Sequence, residues 1–218
     1  MSNLLLEKFW DALLETFTMV AVSGAIALLI GVPLAVLLVV TSKGGIHTAP
    51  RVYRVLSTVI DAIRATPFII MMVLLIPLTR WLLGSAIGVF AAIVPLTISI
   101  TPYFARITEI SLRDVGGGLI EAAEAMGCGR WHIVRHVLLP EALPGIVSAM
   151  TITIVALFNT SAMAGALGAG GLGDLAIRYG YERYDPLIML YVVAILFALV
   201  TGSQGFGDWA VRYLRRRR

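Results

Sequence analysis

Residues 16–42 read TFTMVAVSGAIALLIGVPLAVLLVVTS, twenty-seven positions without a charged side chain. As an α-helix rising 1.5 Å per residue, such a run exceeds the ~20 residues that cross a ~30 Å hydrocarbon core. Working outward, three more charge-free runs pass the same test: Trp81 to Ala105, Ala142 to Gly173 and Pro186 to Gly207. A fifth, Ala65 to Thr79, has only 15 residues, or ~22 Å of helix. It spans if its helix begins near Val55, which sets Asp61 and Arg64 at one interface and Arg80 at the other. The expectation is an all-α integral membrane protein with five transmembrane helices.

Composition agrees. Of 218 residues, 59% are hydrophobic and 14% charged, and the mean hydropathy is +0.91. A soluble core of this size could not hide that much apolar surface, so lipid is the expected solvent for much of it. The single cysteine, Cys128, excludes an intrachain disulfide framework. A net charge of +4 does not point to nucleic acid, because the basic residues are scattered between apolar runs. The tail Arg215-Arg216-Arg217-Arg218 reads as a membrane-surface anchor. The first apolar run is too long for a cleavable leader and follows Glu7, Lys8, Asp11 and Glu15, so no signal cleavage is expected.

Charge also orients the chain. Lys43, Arg51, Arg54, Arg64, Arg106, Arg113, Arg130, Arg135, Arg212 and the four terminal arginines, thirteen in all, fall on one side of a five-span arrangement. Lys8, Arg80, Arg178 and Arg183 fall on the other. The positive-inside rule then places the N-terminus outside and the C-terminus in the cytoplasm. Pro33, Pro67, Pro77, Pro95 and Pro102 sit in or beside the runs, with Gly24 and Gly31 in the first. They read first as packing kinks, whose freed carbonyls neighbouring helices satisfy, with a gating hinge as the alternative.

The largest cytoplasmic segment, 106–141, holds Glu121-Ala122-Ala123-Glu124-Ala125-Met126-Gly127, nine residues, then Val137-Leu138-Leu139-Pro140. Gly116-Gly117-Gly118 interrupts the chain just before, so a helix is expected to start near Leu119. That start sets Glu121 and Glu124 in its first turn, where carboxylates complement the helix dipole. Three alanines keep the helix slim, and Gly127 lets the chain turn sharply after about two turns. A slim helix with two acids, projecting between spans, has a shape that docks into a groove on another protein.

The spacing EAA, three residues, G, nine residues, an aliphatic, one residue, then LP resembles the signature loop of the type I ABC-importer inner-membrane permeases. It departs only in Val137, where isoleucine is commoner. The likeness covers the whole chain and is strongest to the methionine-uptake permeases, through Arg64-Ala65-Thr66-Pro67-Phe68-Ile69, Ile93-Val94-Pro95-Leu96-Thr97, residues 138–145 and residues 161–173. The resemblance implies one transmembrane permease domain over residues 1–218 in a bacterial inner membrane. It further implies two permease copies, two cytoplasmic ATP-binding-cassette subunits and an extracytoplasmic substrate-binding protein. Glu121, Ala122, Ala123 and Gly127 would form the core of the coupling helix, with Leu139 and Pro140 starting the return into the membrane. The implied function is ATP-driven import, for methionine or else another amino acid or small solute, by alternating access.

The residues themselves fit that division of labour. No G-x-x-x-x-G-K-[ST] occurs, so ATP hydrolysis is expected on a partner and no catalysis, cofactor or metal on this chain. The outward loops, roughly 7 and 20 residues long, are too short to fold a substrate-binding domain. A stand-alone secondary transporter is the reading from another class, but five spans show no inverted repeat. For the translocation path the candidates are Asn159, Ser161 and Met163, two polar groups inside an apolar run and a pliable thioether suited to a gate. Core packing is the competing reading of Met163. Asp61 and Arg64 are expected to pair and anchor the second span.

Three other signals carry little. Gly168, Gly170 and Gly173 match G-x-G-x-x-G, but they follow a membrane span and not a soluble strand, so helix-end packing is expected. His132 and His136 stand four apart with isoleucine at 133 and no third ligand, which reads as a solvated basic face. Cys128 reads as an ordinary thiol beside the coupling turn.

Overall fold

The computed structural model describes residues 3–216, with side chains from Leu6 onward; Arg217 and Arg218 of the basic tail lie outside the described residues. The first apolar run becomes α1 (Asn3–Thr41), unbroken through Pro33. After it come α2 (Pro50–Ala65), α3 (Phe68–Leu74), α4 (Ile76–Leu83) and α5 (Val89–Arg113), the last carrying Pro95 and Pro102 inside it. The loop helix α6 (Gly117–Ala125) leads to α7 (Arg130–Ile133), a turn of π-helix over Val134–Leu138, and α8 (Leu139–Ala164). A second wide turn, Gly165–Ala169, joins α8 to α9 (Gly171–Leu175), a third follows at Ala176–Tyr181, and α10 (Pro186–Arg215) ends the fold.

Four stretches are long and apolar enough to cross a membrane: Leu6–Thr41, Val89–Arg113, Arg130–Ala169 and Pro186–Arg215. The expected second span is not the straight helix from near Val55. It begins at Pro50 and bends by 103° between α2 and α3, so a fifth crossing exists only as a broken one. Pro67 explains the break. Its ring excludes Thr66 from helical space and holds it extended, at φ −80° and ψ 122°. Pro77 at the start of α4 and Pro186 at the start of α10 sit where helices tolerate proline, whereas Pro33, Pro95, Pro102 and Pro144 lie inside helices. Asp185 caps α10, its carboxylate accepting from Leu187 N–H at 3.1 Å and Ile188 N–H at 3.3 Å.

α5 is the central helix. Half of its apolar window is buried, against 11% for α10, which lies at the periphery. Met19, Ala27, Leu96, Ile100, Leu157 and Phe158 join α1, α5 and α8 in one cluster, which Phe68 of α3 completes. A second cluster, of Ala35, Phe104, Leu112, Val134, Leu138 and Ile146, carries the packing to the end where α6 lies. Gly31 admits Phe104 so closely that a Cβ there would sit 2.5 Å from its ring, the small-residue approach by which membrane helices pack. Outside, Leu29, Phe90 and Phe197 are each more than 70% exposed, which suits a lipid solvent.

The glycine-rich run does pack a helix end, against α1. Glu15 Oε2 accepts from Gly171 N–H at 2.6 Å, and Thr16 Oγ accepts from Leu172 N–H at 2.9 Å. A Cβ on Gly170 would meet Glu15 Oε2 at 2.6 Å, and one on Gly173 would strike the Ala162 carbonyl. Gly170 and Gly171 also adopt φ of +88° and +77°, open to glycine at no steric cost.

Candidate coupling surface

α5 ends at Arg113, and the buried Val115 pins the chain before it turns out into α6. The helix starts at Gly117, two residues earlier than expected, so Glu121 and Glu124 lie beyond its first turn and gain nothing from the dipole. Their surroundings are different. Both line a cavity of about 540 Å³ together with Lys43 and Arg113, walled by Val39, Leu112 and Ile120. Among the described residues neither forms an ion pair.

Only Ala123 of α6 is buried, at 2% exposure. Ala122 is exposed, and Leu119 and Met126 at i−3 and i+4 from it stand 49% and 76% exposed. These three share one apolar face, on the other side of the helix from the two acids. Trp131, 71% exposed, extends the apolar surface just beyond. α6 is held by the buried Ala123 and the half-buried Ile120, and it presents an uncovered apolar face and two carboxylates with no ion pair among the described residues, an arrangement that could receive a partner.

Gly127 closes the helix. Its N–H donates to Glu124 C=O at 2.9 Å and Cys128 N–H donates to Ala123 C=O at 3.1 Å, which is the Schellman arrangement. That turn needs a left-handed residue, and Gly127 supplies φ +77°. Leu139 and Pro140 open α8 and are half-buried and exposed respectively. Arg130 reaches back to the loop after α1, its guanidinium donating to His47 Nδ1 at 2.7 Å. His132 and His136 are exposed and stacked, ring centroids 4.1 Å apart, and no group of three metal-ligating residues occurs among the described residues.

The path candidates part company. Asn159 and Met163 are exposed, one helical turn apart on the same side of α8. Ser161 is 1% exposed, and its hydroxyl donates to Phe158 C=O at 2.8 Å, inside the protomer.

Beneath the loop lies a polar network that local sequence reading misses. Asp61 and Arg64 pair as expected, at 3.2 Å, but Asp61 also takes Arg106 at 3.0 Å. Arg106 and Arg113 both grip Glu109 at 2.7 Å, and Tyr53 donates to it at 3.3 Å. Glu109 itself is 2% exposed. The network ties α2 to the end of α5. Beyond the Asp61–Arg64 pair, its local signature is a carboxylate at i+3 from Arg106 and i−4 from Arg113.

Known proteins resemble this chain. A relative in Vibrio cholerae, "Probable D-methionine transport system permease protein MetI", is 47% identical over 216 residues, 99% of this chain and 94% of its own. The D-methionine transport system permease protein MetI of Salmonella typhi is 49% identical over 162 residues, 74% of this chain and 73% of its own. A solved structure of the MetNI methionine ABC transporter in an inward-facing conformation superimposes with a TM-score of 0.96 at 45% identity, covering 98% of this chain and 99% of that one. The family model described as "Binding-protein-dependent transport system inner membrane component" matches residues 27–218, which take in the broken span, the loop helix and the whole of α8. A membrane-spanning helical chain with that match belongs to the family of inner-membrane components of binding-protein-dependent transport systems.

Proposed function

We propose that this chain is the permease of an ATP-driven importer for methionine, working as a pair with two cytoplasmic ATPase subunits and an extracytoplasmic binding protein. The names of its relatives, two of which match 98% or more of this chain, support the substrate and the partners. The observation that carries the reading is α6, a nine-residue helix with an uncovered apolar face, closed by Gly127. Within one permease domain, the segment 106–141 is its drive loop. The charge asymmetry supports the orientation, with the N-terminus outside and α6 in the cytoplasm.

The mechanism is alternating access. Nucleotide binding closes the ATPase pair and carries the two α6 helices with it. Because the turn after α6 leads straight into α7, which runs on into α8, and α5 enters the loop from the other side, displacement of α6 moves two spans at once. The paired permeases open outward, receive substrate, and return inward after hydrolysis. Asn159 and Met163 line the path, and Met163 reseals it with a flexible thioether. Ser161 serves that wall from within. This chain supplies no nucleotide chemistry, since no phosphate-binding loop occurs in it.

Uptake in proteoliposomes tests the reading. The permease, reconstituted with its cognate ATPase and binding protein, is expected to accumulate labelled methionine only with ATP inside. Accumulation of a different amino acid and not methionine overturns the substrate; uptake without the ATPase overturns the machine.

A further inference from the structure

A second cavity, of about 340 Å³, opens between the end of α1, the first half of α2 and the end of α5. Three of its lining side chains are cations, Lys43, Arg54 and Arg113, and four carry hydroxyls, Ser42, Tyr53, Ser57 and Thr58; none is acidic. Arg113 is spoken for by Glu109 at 2.7 Å, and its Nη2 also donates to Tyr53 OH at 3.2 Å, which holds both groups at the cavity wall. Lys43 and Arg54 form no ion pair among the described residues. Asp61 and Glu109 lie behind the wall, and Glu121 and Glu124 share the neighbouring cavity with Lys43 and Arg113, yet Lys43, Arg54, Arg64, Arg106 and Arg113 still outnumber these four carboxylates, leaving a local charge of +1. Convergent cations and hydroxyls with no carboxylate in the lining suit a phosphate diester or monoester.

What lies beside the cavity separates a lipid from a free ion. Val55 and Val59 on the same helix are 66% and 51% exposed, and Ala62 is exposed one turn further on. They form an apolar strip adjoining Arg54 and Thr58 and running from the cavity toward the broken span. α2 lies antiparallel to α5, Tyr53 meeting Glu109 near one end and Asp61 meeting Arg106 further along. The strip therefore descends into the bilayer from the surface at which the cavity opens. We infer that this cavity binds the headgroup of an anionic phospholipid from the leaflet on the α6 side, its phosphate between Lys43 and Arg54 and an acyl chain along Val55, Val59 and Ala62. The leaflet assignment rests on the orientation proposed above; the site does not.

Native mass spectrometry of the purified permease–ATPase complex, titrated with dioleoylphosphatidylglycerol or dioleoylphosphatidylcholine, reads the site directly. Phosphatidylglycerol is expected to bind about tenfold more tightly, and the double variant Lys43→Gln/Arg54→Gln to lose roughly thirtyfold of that affinity. Lys43→Arg/Arg54→Lys should keep it, and Arg178→Gln, on the opposite side, should leave it unchanged. Equal binding of the two lipids, or undiminished binding by the double variant, overturns the proposal. Displacement of the lipid by millimolar inorganic phosphate assigns the cavity to free phosphate and overturns it too. Phosphatidylglycerol selectivity in a complex that takes up no methionine sinks the transport reading and leaves this one standing.

Discussion

Glu109 is clasped by Arg106 at 2.7 Å while keeping only 2% of its surface exposed, one helical turn from the end of α5. Arg113 grips its other oxygen, also at 2.7 Å. Removing the carboxylate leaves Arg113 without its counter-charge and Arg106 with Asp61 alone. Both arginines are partly exposed, so water recovers some of the loss. Glu109→Gln is expected to cost roughly 2–3 kcal/mol, below the 3–5 of a fully buried broken pair. Thermal unfolding of the purified protein should show a fall of about 5–10 °C; an unchanged Tm removes the network as a support of the fold.

Gly127→Ala puts a Cβ on a left-handed residue, which costs about 1 kcal/mol, locally, at the end of α6. A Cβ there meets nothing within 4 Å, so the penalty is conformational and not a clash. Transport should fall severalfold while the melting temperature of the membrane fold stays put. Full transport by Gly127→Val would show that the turn plays no part in coupling.

Glu121 is exposed and forms no ion pair among the described residues, so Glu121→Arg is expected to leave the fold unchanged. A reversed charge at the docking face is expected to cut recovery of the ATPase in co-purification at least ~tenfold. Retention of the ATPase at wild-type ratio contradicts the assignment of this surface.

Gly171→Ala meets two obstacles together, a φ of +77° and Thr16 Oγ 2.6 Å from the new Cβ. Neither can relax without breaking the hydrogen bonds from Gly171 and Leu172 to α1. A loss of about 2–3 kcal/mol follows, visible as a lower Tm and lower yield from membranes; a neutral substitution here would mean that the outer ends of α1 and α9 are not fastened together.

Cys128, partly exposed beside the turn, reports the sidedness of the loop. A membrane-impermeant maleimide should leave it unlabelled in intact cells and label it in inverted vesicles. Labelling from outside reverses the orientation and with it the docking role of α6.

Much of this architecture is written in charge-free runs and in the spacing of one loop, because lipid acts on every residue of a span and hydropathy sums over many positions. The second span escapes that logic. A window of hydropathy registers Pro67 as one apolar residue, whereas its steric effect on Thr66 turns the chain by 103°. Gly116 to Gly118 suggested an interruption, yet Gly117 and Gly118 are helical, since the alanines and Leu119 that follow favour propagation back through them. Glu109 meets Tyr53 across 56 residues, and Glu15 meets Gly171 across 156, distances at which no local pattern exists. Asn159 and Met163 were legible as candidates but not as a pair apart from Ser161, because the choice of face depends on where α1 and α5 lie.

Packed only through the buried Ala123 and the half-buried Ile120, with Gly116 before it and Gly127 and Gly129 after it, α6 is a gimballed knob. A knob on slack tethers yields to rotation at little cost but resists being dragged away from its seat. On the docking proposed above, a subunit that swivels as it pulls would pass on the pull and shed the swivel, so the spans behind it would receive motion along one line.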